Sequence, residues 1–298
     1  MDLAGVFPAL TTPFRADGSV ALDQFKANLA RYNQTRLAGY VVLGSTGESV
    51  LLSSAEGESL LAAGKEAAAP GKLLIAGTGA ESTAETIAKT KRAAALGYNA
   101  ALIKTPYYYK PAYGPDTYLH HYRAIADASP IPVLLYSVPI FTGITLETPE
   151  IVALAQHPNI IGIKDSTGSI QRVVEVAAQA PKDFQILTGS AGVFYAALVS
   201  GAKGAILALA SALPEKCVEL FELFQSGRQS EAQSLQQQIA LASKAIVSSG
   251  GIAALKHVMD IRGYHGGLPR LPLLPLAESR KSHITQVIAQ FEPVAARA

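Results

Sequence analysis

A lysine stands at the end of a short apolar run, in the stretch IIGIKDSTG at residues 160–168. Ile-rich runs of this length that end in turn residues are typical of buried strands, so Lys164 is expected where a strand leaves the core. A lysine at a strand end most often extends its amine into water. An amine held at the edge of an apolar pocket can instead attack a ketone and form a Schiff base.

Other reactive side chains follow neighbouring apolar runs. Tyr136 is near the end of the run IPVLLYS, one unit before Lys164. Paired parallel strands lie about 4.8 Å apart, so the phenol and the amine are expected to share one end of a sheet. Ser45 and Thr46 follow an earlier run in the loop GSTGES, which offers two hydroxyls and several backbone N–H groups to an anion.

Together these groups suit covalent chemistry on a ketone. The iminium formed from an amine and a ketone is an electron sink, which allows loss of a neighbouring proton or cleavage of the next carbon–carbon bond without a metal or cofactor. Such a reaction needs a proton shuttle, a role open to Tyr136. If the substrate is a 2-oxo acid, the reaction also needs a group that holds a carboxylate, a role open to GSTGES.

Each of these motifs also has a simpler interpretation. GSTGES alone can be a capped loop before a helix, and no Gly-Lys-Ser/Thr follows to make it a phosphate loop. PYYYKP can be an aromatic interface. His120 and His121 are adjacent on a predicted helix and point to different faces, which does not favour a metal site. Lys104 ends the strand-like run ALIK, and the residues alone leave the choice between Lys104 and Lys164 open.

Eight short apolar runs alternate with longer Ala-rich segments of helical period. This alternation predicts a parallel sheet with β–α–β crossovers. Eight units spaced by roughly 25–35 residues favour a (β/α)8 TIM barrel, in which the loops after the strands carry the chemistry. The first run lacks the glycine fingerprint of a doubly wound dinucleotide-binding sheet. The predicted strands are GVFPAL (5–10), GYVVLG (39–44), KLLIAG (72–77), YNAALIK (98–104), IPVLLYS (131–137), NIIGIK (159–164), FQILTG (184–189) and KGAILA (203–208).

After Ala208 the alternation stops, and helix-like stretches follow without a strand between them. We therefore predict a barrel over residues 1–210 and a C-terminal helical extension over residues 211–298, packed together as one structural unit. Within the extension, the proline-punctuated stretch PRLPLLPL (269–276) is predicted to connect to a last helix.

Composition excludes several classes of protein. The chain has 298 residues, 49% of them hydrophobic and 16% charged, which is enough for a substantial core. Its formal net charge is only +2, and no basic run suggests nucleic acid. No apolar run approaches the ~20 residues that span a membrane, so no membrane partner is expected. Cys217 is the only cysteine, and the N-terminus does not resemble a secretory signal, so a cytoplasmic location is expected.

Seven motifs, in their order along the chain, resemble the dihydrodipicolinate synthase/N-acetylneuraminate lyase family of class I, Schiff-base-forming barrels. The resemblance runs from about Gly5 to Pro275, nearly the whole chain, and is specific because the motifs occur together. They are TTPF (11–14), GSTGES (44–49), TPYYYKP (105–111), LLYSVP (134–139), GIKDSTG (162–168), LTGSAG (187–192) and GAKGAILA (201–208).

The resemblance implies catalytic roles for four residues. It chooses Lys164 over Lys104 as the iminium-forming lysine and makes Tyr136 the proton donor and acceptor. Ser45 and Tyr108 would form a hydroxyl relay, with Tyr108 reaching in from a neighbouring subunit. Most relatives are homotetramers built as dimers of dimers, so a homotetramer is expected.

The resemblance also implies a substrate-binding set. Thr46 and the backbone of Ile206 would hold the carboxylate end of pyruvate, or of another 2-oxo acid. Gly189 and Ser190 would line the pocket. Neither a cofactor nor a metal is implied.

Phe141 helps to distinguish between the synthases and the aldolases of the family that the chain resembles. Synthases that condense pyruvate with aspartate semialdehyde typically carry an arginine at this position. The stretches ASPIPVLLYSVP, QHPNIIGIKDSTG and DFQILTGSAG look more like the 4-hydroxy-2-oxoglutarate aldolases, which yield pyruvate and glyoxylate. Ser166, with Ser45 and Ser137, is then a candidate anchor for the second carboxylate. Dihydrodipicolinate (4-hydroxy-tetrahydrodipicolinate) synthase and a sugar-acid aldolase or dehydratase stay open as alternatives.

Two hypotheses lie outside this class. A metal-dependent aldolase on the same barrel would lose activity in chelator, but the sequence offers it no credible ligand set. A catalytically silent relative would serve in binding or regulation, and the presence of Lys164, Tyr136, Ser45 and Thr46 argues against it.

Overall fold

Eight parallel strands form the centre of the computed structural model, which describes residues 1–291. From the second strand to the eighth, each strand pairs with the next one in the sequence, and the eighth pairs with the first. Between the first and second strands the barrel is closed by a parallel bridge that joins Ala9 to Val41, with Leu10 N donating to Val41 O at 2.9 Å. The strands are β1 Gly5–Pro8, β2 Gly39–Val42, β3 Leu73–Gly77, β4 Ala100–Lys104, β5 Val133–Ser137, β6 Ile160–Asp165, β7 Gln185–Thr188 and β8 Gly204–Leu207.

Helices surround this barrel and continue beyond its last strand. A short π-helical segment, Lys244–Ser248, follows the tenth of them. The helices are α1 Leu22–Tyr32, α2 Ser54–Ala67, α3 Thr83–Ala95, α4 Pro115–Ala128, α5 Pro139–Thr142, α6 Thr148–Leu154, α7 Ile170–Gln179, α8 Phe194–Val199, α9 Pro214–Gln225, α10 Gln229–Ser243, α11 Gly251–Ile261 and α12 Glu278–Phe291.

The predicted (β/α)8 barrel with a C-terminal helical addition is confirmed. All eight strands lie in the predicted runs, and only β6 extends one residue further, to Asp165. Parallel strands covered on both faces are continuous apolar runs, which explains why they are visible in the sequence. The barrel interior is one cluster of side chains that includes Phe7, Leu134, Tyr136 and Ile206, so the barrel is filled rather than hollow.

The C-terminal helices share a hydrophobic core with the barrel. Cys217 of α9, Ile239 of α10 and Leu255 of α11 belong to the same buried cluster as Val6 of β1. The division of the chain at residue 210 stays a prediction. Helix α9 begins after that division, yet it follows β8 and contacts β1, as the eighth helix of a barrel does. The last part of the predicted extension, residues 292–298, lies outside the described residues.

Within residues 1–291, no single helix has the length and apolar character to cross a membrane. One pair of helical segments, Gln229–Ser248 and Gly251–Ile261, reaches that length and composition only when taken together, with a bend of 119° between them.

Candidate active site

Lys164 and Tyr136 are neighbours at one end of the barrel. They are register partners on β6 and β5, and Lys164 Nζ lies 4.2 Å from the centroid of the Tyr136 ring. Both are buried, with exposed fractions of 4% and 6%. The amine is therefore held against an aromatic face at the carboxyl end of the strands and does not extend into water.

The loop after β6 is fixed by the carboxylate of Asp165. Its Oδ1 accepts hydrogen bonds from the backbone N of Thr167 at 2.7 Å and from the Thr167 hydroxyl at 2.5 Å. Its Oδ2 pairs with Nε of Arg172 on α7 at 3.1 Å, and this arginine is itself mostly buried. This network holds the chain rigidly on the C-terminal side of Lys164.

Gly189 allows the loop after β7 to approach the stem of Lys164. Its N–H donates to Asp165 O at 2.6 Å. A Cβ added at this position would lie 1.9 Å from Ser166 Oγ and 3.2 Å from Lys164 Cε. Any larger residue would push Ser166 or the lysine side chain away, so the close approach requires glycine.

A cavity of about 420 Å³ opens above Lys164 and is called the lysine cavity below. Its walls bring together most of the residues singled out in the sequence. They are Ser45, Thr46, Tyr136, Phe141, Lys164, Ser166, Gly189 and Ser190. An adjoining cavity of about 270 Å³ shares Ser45, Tyr136 and Phe141 with it and also contains Lys104.

Two predicted residues lie elsewhere. Ile206 is fully buried on β8, two residues before Ala208, which lines the lysine cavity. Tyr108 is 71% exposed, packs edge-on against Tyr109 and lies outside the walls of both cavities. Within one chain the structure therefore does not bring Tyr108 to Lys164.

The rival lysine, Lys104, has other partners. Its Nζ lies 3.2 Å from Glu81 Oε1 and 4.6 Å from the centroid of the Tyr107 ring. The pKa of Glu81 is lowered by hydrogen bonds from the backbone N–H groups of Tyr108 and Tyr107 and by Lys104, against the opposing effect of burial. A carboxylate thus balances the charge of Lys104, whereas none of the described residues that line the lysine cavity is acidic.

The loop that carries Ser45 and Thr46 is anchored by a buried ion pair. These residues form a short 3-10 turn, Ser45–Gly47, and Glu48 follows it with a left-handed φ of 56°. Glu48 Oε1 lies 2.6 Å from Nζ of Lys256 on α11, and neither side chain is exposed. Non-glycine residues rarely adopt such a φ, so the pair holds the turn in a conformation it would not choose alone.

Lys256 also connects this turn to two other segments. Its Nζ donates to Thr12 O at 2.8 Å and to Leu268 O at 2.9 Å, while the Thr12 hydroxyl donates to Gly47 O at 2.7 Å. Burial lowers the pKa of Lys256, and the Glu48 carboxylate opposes that effect. One ammonium group thus joins the barrel mouth to the C-terminal helices.

We expect Lys256→Met to lower the free energy of unfolding by about 3–5 kcal/mol, because it leaves the Glu48 carboxylate buried without a counter-ion. Denaturant unfolding measures the change. The control is Lys26→Met, which removes an ion pair of the same 2.6 Å length, to Glu66, at the surface, where we expect a loss of at most about 1 kcal/mol. Equal losses in the two variants would show that burial of the pair has no energetic consequence.

The ion pair and part of the cavity wall were missed in the sequence. Glu48 lies inside GSTGES, and the lone cation Lys256 in the apolar stretch IAALKHVM was the signal that could have indicated a buried partner. The extension also supplies wall residues that the sequence did not predict. They are Ser243, Val247, Ser248, Gly250, Gly251, Ile252, Ala253, Leu255, Leu273 and Leu274.

Histidines do not converge on a metal site. His120 Nδ1 contacts Asp116 O at 2.7 Å, and His121 Nδ1 contacts Thr83 Oγ1 at 2.9 Å. Burial lowers the pKa of His121 to about 4, which keeps its ring neutral. In residues 1–291, no three His, Cys, Asp or Glu side chains are grouped so that they could hold a metal ion.

Curated sequences resemble this chain over nearly its whole length. A 4-hydroxy-tetrahydrodipicolinate synthase from Exiguobacterium sp. is 33% identical over 290 residues, covering 97% of this chain and 98% of the relative. A probable mitochondrial 4-hydroxy-2-oxoglutarate aldolase from Emericella nidulans is 34% identical over 291 residues, covering 96% and 94%. Relatives of both activities therefore match with similar identity.

Solved structures share the fold closely. A dihydrodipicolinate synthase from Bacillus anthracis superposes with a TM-score of 0.92 at 28% identity, covering 97% of this chain and 98% of that one. A 4-hydroxy-tetrahydrodipicolinate synthase from Methylacidiphilum fumariolicum gives a TM-score of 0.93 at 28% identity, covering 99% and 98%. The profile of the dihydrodipicolinate synthetase family matches residues 2–291. The resemblance drawn from the seven motifs is thereby confirmed: the chain belongs to the dihydrodipicolinate synthetase family, whose members are lyases and synthases.

Proposed function

We propose that this protein is a class I, Schiff-base-forming lyase that breaks or makes the carbon–carbon bond between pyruvate and an aldehyde. The observation that carries the proposal is the buried amine of Lys164, which lies 4.2 Å from the Tyr136 ring at the base of the lysine cavity. Borohydride trapping of pyruvate on Lys164 tests it. The activity most like the one proposed is that of 4-hydroxy-2-oxoglutarate aldolase. Its substrate belongs to the 4-hydroxy-2-oxo acids, and this is the substrate class considered below.

The reaction begins when neutral Lys164 Nζ adds to the C2 carbonyl and water leaves, forming an iminium. The bond between C3 and C4 then breaks, and its electrons move into the iminium as an enamine. Tyr136 takes the proton of the C4 hydroxyl as the aldehyde forms, and a proton returned to C3 completes the pyruvate imine. Water hydrolyses this imine to release pyruvate and regenerate the amine.

The substrate carboxylate is assigned to the turn after β2. Thr46 offers its hydroxyl beside backbone N–H groups of Ser45–Gly47, which together suit an anion. Ile206 contributes only backbone near the C1 end, since its side chain belongs to the barrel interior. Gly189 and Ser190 line the same cavity.

The relay through Ser45 and Tyr108 requires a second copy of the chain. Ser45 lines the cavity, but Tyr108 is exposed at the surface of its own chain. We therefore propose that Tyr108 acts across an oligomer interface, as the expected homotetramer would allow. The homotetramer and the cytoplasmic location stay predictions.

Phe141 favours the aldolase over the alternative, 4-hydroxy-tetrahydrodipicolinate synthase. We expect slower condensation of pyruvate with aspartate semialdehyde than cleavage of a 4-hydroxy-2-oxo acid, because an apolar ring stands where an arginine would pair with the semialdehyde carboxylate. A charge-assisted bond contributes about 1.5–3 kcal/mol, or roughly 10- to 150-fold in kcat/KM. Phe141→Arg should therefore raise kcat/KM for the semialdehyde by a factor in this range.

The control for this prediction is Val199→Arg, which places the same cation at a residue of matched exposure that lines neither cavity and should leave kcat/KM for the semialdehyde unchanged. If the unmodified protein prefers aspartate semialdehyde, the synthase is the correct subgroup and the Schiff-base mechanism still holds. A sugar-acid aldolase or dehydratase would instead turn over neither substrate well.

We expect a chelator to leave turnover unchanged, because the iminium supplies the electron sink that a metal would otherwise provide. The measurement is the initial rate of pyruvate release before and after dialysis against excess EDTA. A loss of turnover that zinc restores would identify a metal-dependent aldolase instead.

A further inference from the structure

The outer part of the lysine cavity is apolar. Its walls include five large apolar side chains from three segments of the chain, which we call the apolar rim. Phe141 is 61% exposed and Ile140 77%, whereas Leu273 and Leu274 in the connection before α12 are 39% and 72% exposed. The rim consists of Ile140, Phe141, Ile252, Leu273 and Leu274.

The part of the substrate beyond C4 is assigned to the rim, because the other end of the substrate is assigned to the opposite set of elements. The carboxylate end is assigned to Thr46 and the reacting ketone to Lys164, both of which lie on the strand ends and their first loops. The rim lies on α5, α11 and the 269–276 connection, which form the mouth. A substrate held at its C1 end and at C2 therefore directs its remaining atoms toward the rim.

The described walls of the lysine cavity offer a second carboxylate no counter-ion besides the reacting lysine. Among the described wall residues of the lysine cavity, Lys164 is the only lysine, arginine or histidine, and it is consumed in the iminium. The cation of the adjoining cavity, Lys104, is already paired with Glu81 at 3.2 Å. A carboxylate moved from water to the apolar rim would lose hydration without gaining a counter-ion.

We propose that the preferred substrates are 4-hydroxy-2-oxo acids whose C4 carries an alkyl or aryl group, so that the released aldehyde is apolar. This inference rests on the proposed Schiff-base lyase and names its substrate class. The C3–C4 bond breaks, the C4 hydroxyl loses its proton and becomes the aldehyde, and C3 gains a proton to become the methyl group of pyruvate. Water removed in forming the iminium is returned in its hydrolysis, and no oxidant or reductant is needed.

A preference for an apolar group at C4 is expected because the rim is apolar, whereas the C1 carboxylate is assigned to hydroxyl and N–H groups. An apolar pocket distinguishes neighbouring hydrophobic groups by roughly 10- to 200-fold in kcat/KM. A C4 phenyl group can also pack against the Phe141 ring. We therefore expect kcat/KM for the phenyl substrate to exceed that for the carboxylate substrate by at least about tenfold.

The experiment compares three substrates on one preparation by pyruvate release. They are 4-hydroxy-2-oxo-4-phenylbutanoate, 4-hydroxy-2-oxohexanoate and 4-hydroxy-2-oxoglutarate, and pyruvate with borohydride is trapped in parallel. The inference is supported if pyruvate is trapped and if kcat/KM for the phenyl or ethyl substrate exceeds kcat/KM for the carboxylate substrate. Trapping with a preference for the carboxylate overturns the inference and leaves the lyase intact. The absence of trapping overturns the proposed lyase itself.

Variants separate the rim from the intrinsic reactivity of the substrates. In Phe141→Ser the ratio of phenyl to carboxylate kcat/KM should fall by about tenfold or more, while Phe141→Leu should retain an apolar preference. The control is Val199→Ser, at a residue of matched exposure (62%) that lines neither cavity, which should leave the ratio unchanged. A ratio that Phe141→Ser does not lower overturns the assignment of specificity to the rim.

Discussion

Pyruvate and borohydride together are expected to leave a single reduced adduct on Lys164, and Lys164→Ala is expected to abolish both the adduct and turnover. Lys164 is 4% exposed, its amine lies against the Tyr136 ring, and the wall residues that the structure describes for its cavity include no acidic side chain. Schiff-base formation requires an amine within reach of the bound ketone, and Lys164 lines the cavity in which that ketone would bind. Peptide mass mapping after reduction locates the adduct.

The matched control for this prediction is Lys104→Ala. Lys104 ends β4 as Lys164 lies near the end of β6, but its ammonium is paired with Glu81. The adduct should therefore persist in Lys104→Ala. An adduct mapped to Lys104, or the absence of any adduct in the unmodified protein, would contradict the assignment of Lys164.

The barrel could be predicted because its signals are local. Each strand is an apolar run covered on both faces, and each ends near a glycine or a polar residue that starts a loop. The same alternation placed Tyr136 and Lys164 at one end of neighbouring strands, and the structure makes them register partners. Local sequence was enough for this pair because parallel neighbours in a barrel end at the same edge.

The mouth of the site could not be predicted because it is assembled from distant segments. Glu48 and Lys256 meet only because α11 packs over the turn after β2, and nothing near either residue specifies that contact. Leu273 and Leu274 looked like part of a linker, yet they line the lysine cavity. Hydrophobic periodicity identifies which residues are covered, whereas the partner that covers them is decided by tertiary packing.

Tyr108 shows a different limit to what can be predicted from the sequence of one chain. Its motif suggested a catalytic group, but the residue is exposed and its backbone N–H donates to Glu81 at 2.9 Å, away from Lys164. A side chain that acts in another subunit leaves no trace in the packing of its own chain. The role proposed for Tyr108 therefore depends on the assembly, as the specificity proposed for the rim depends on the extension.

Tyr136→Phe is expected to keep the fold and lose at least about 100-fold in turnover, the usual scale for a positioned proton-transfer group. The ring belongs to the buried cluster inside the barrel and contacts Lys164 Nζ, and phenylalanine retains that ring. Only the hydroxyl is removed, so the loss should appear in kcat and not in the free energy of unfolding. Steady-state kinetics and denaturant unfolding on the same preparation measure both.

A second variant distinguishes proton transfer from the general effect of removing a buried phenol. In Tyr98→Phe the lost hydroxyl donates to Leu61 O at 2.9 Å, and Tyr98 lines neither the lysine cavity nor the adjoining one. That variant should lose about 0.5–1.5 kcal/mol of stability and retain its turnover. Borohydride trapping adds a further distinction, because Tyr136→Phe retains the amine and should still give an adduct, formed more slowly. If Tyr136→Phe turns over normally, the phenol serves only in packing, and another group must carry the proton between C4 and C3.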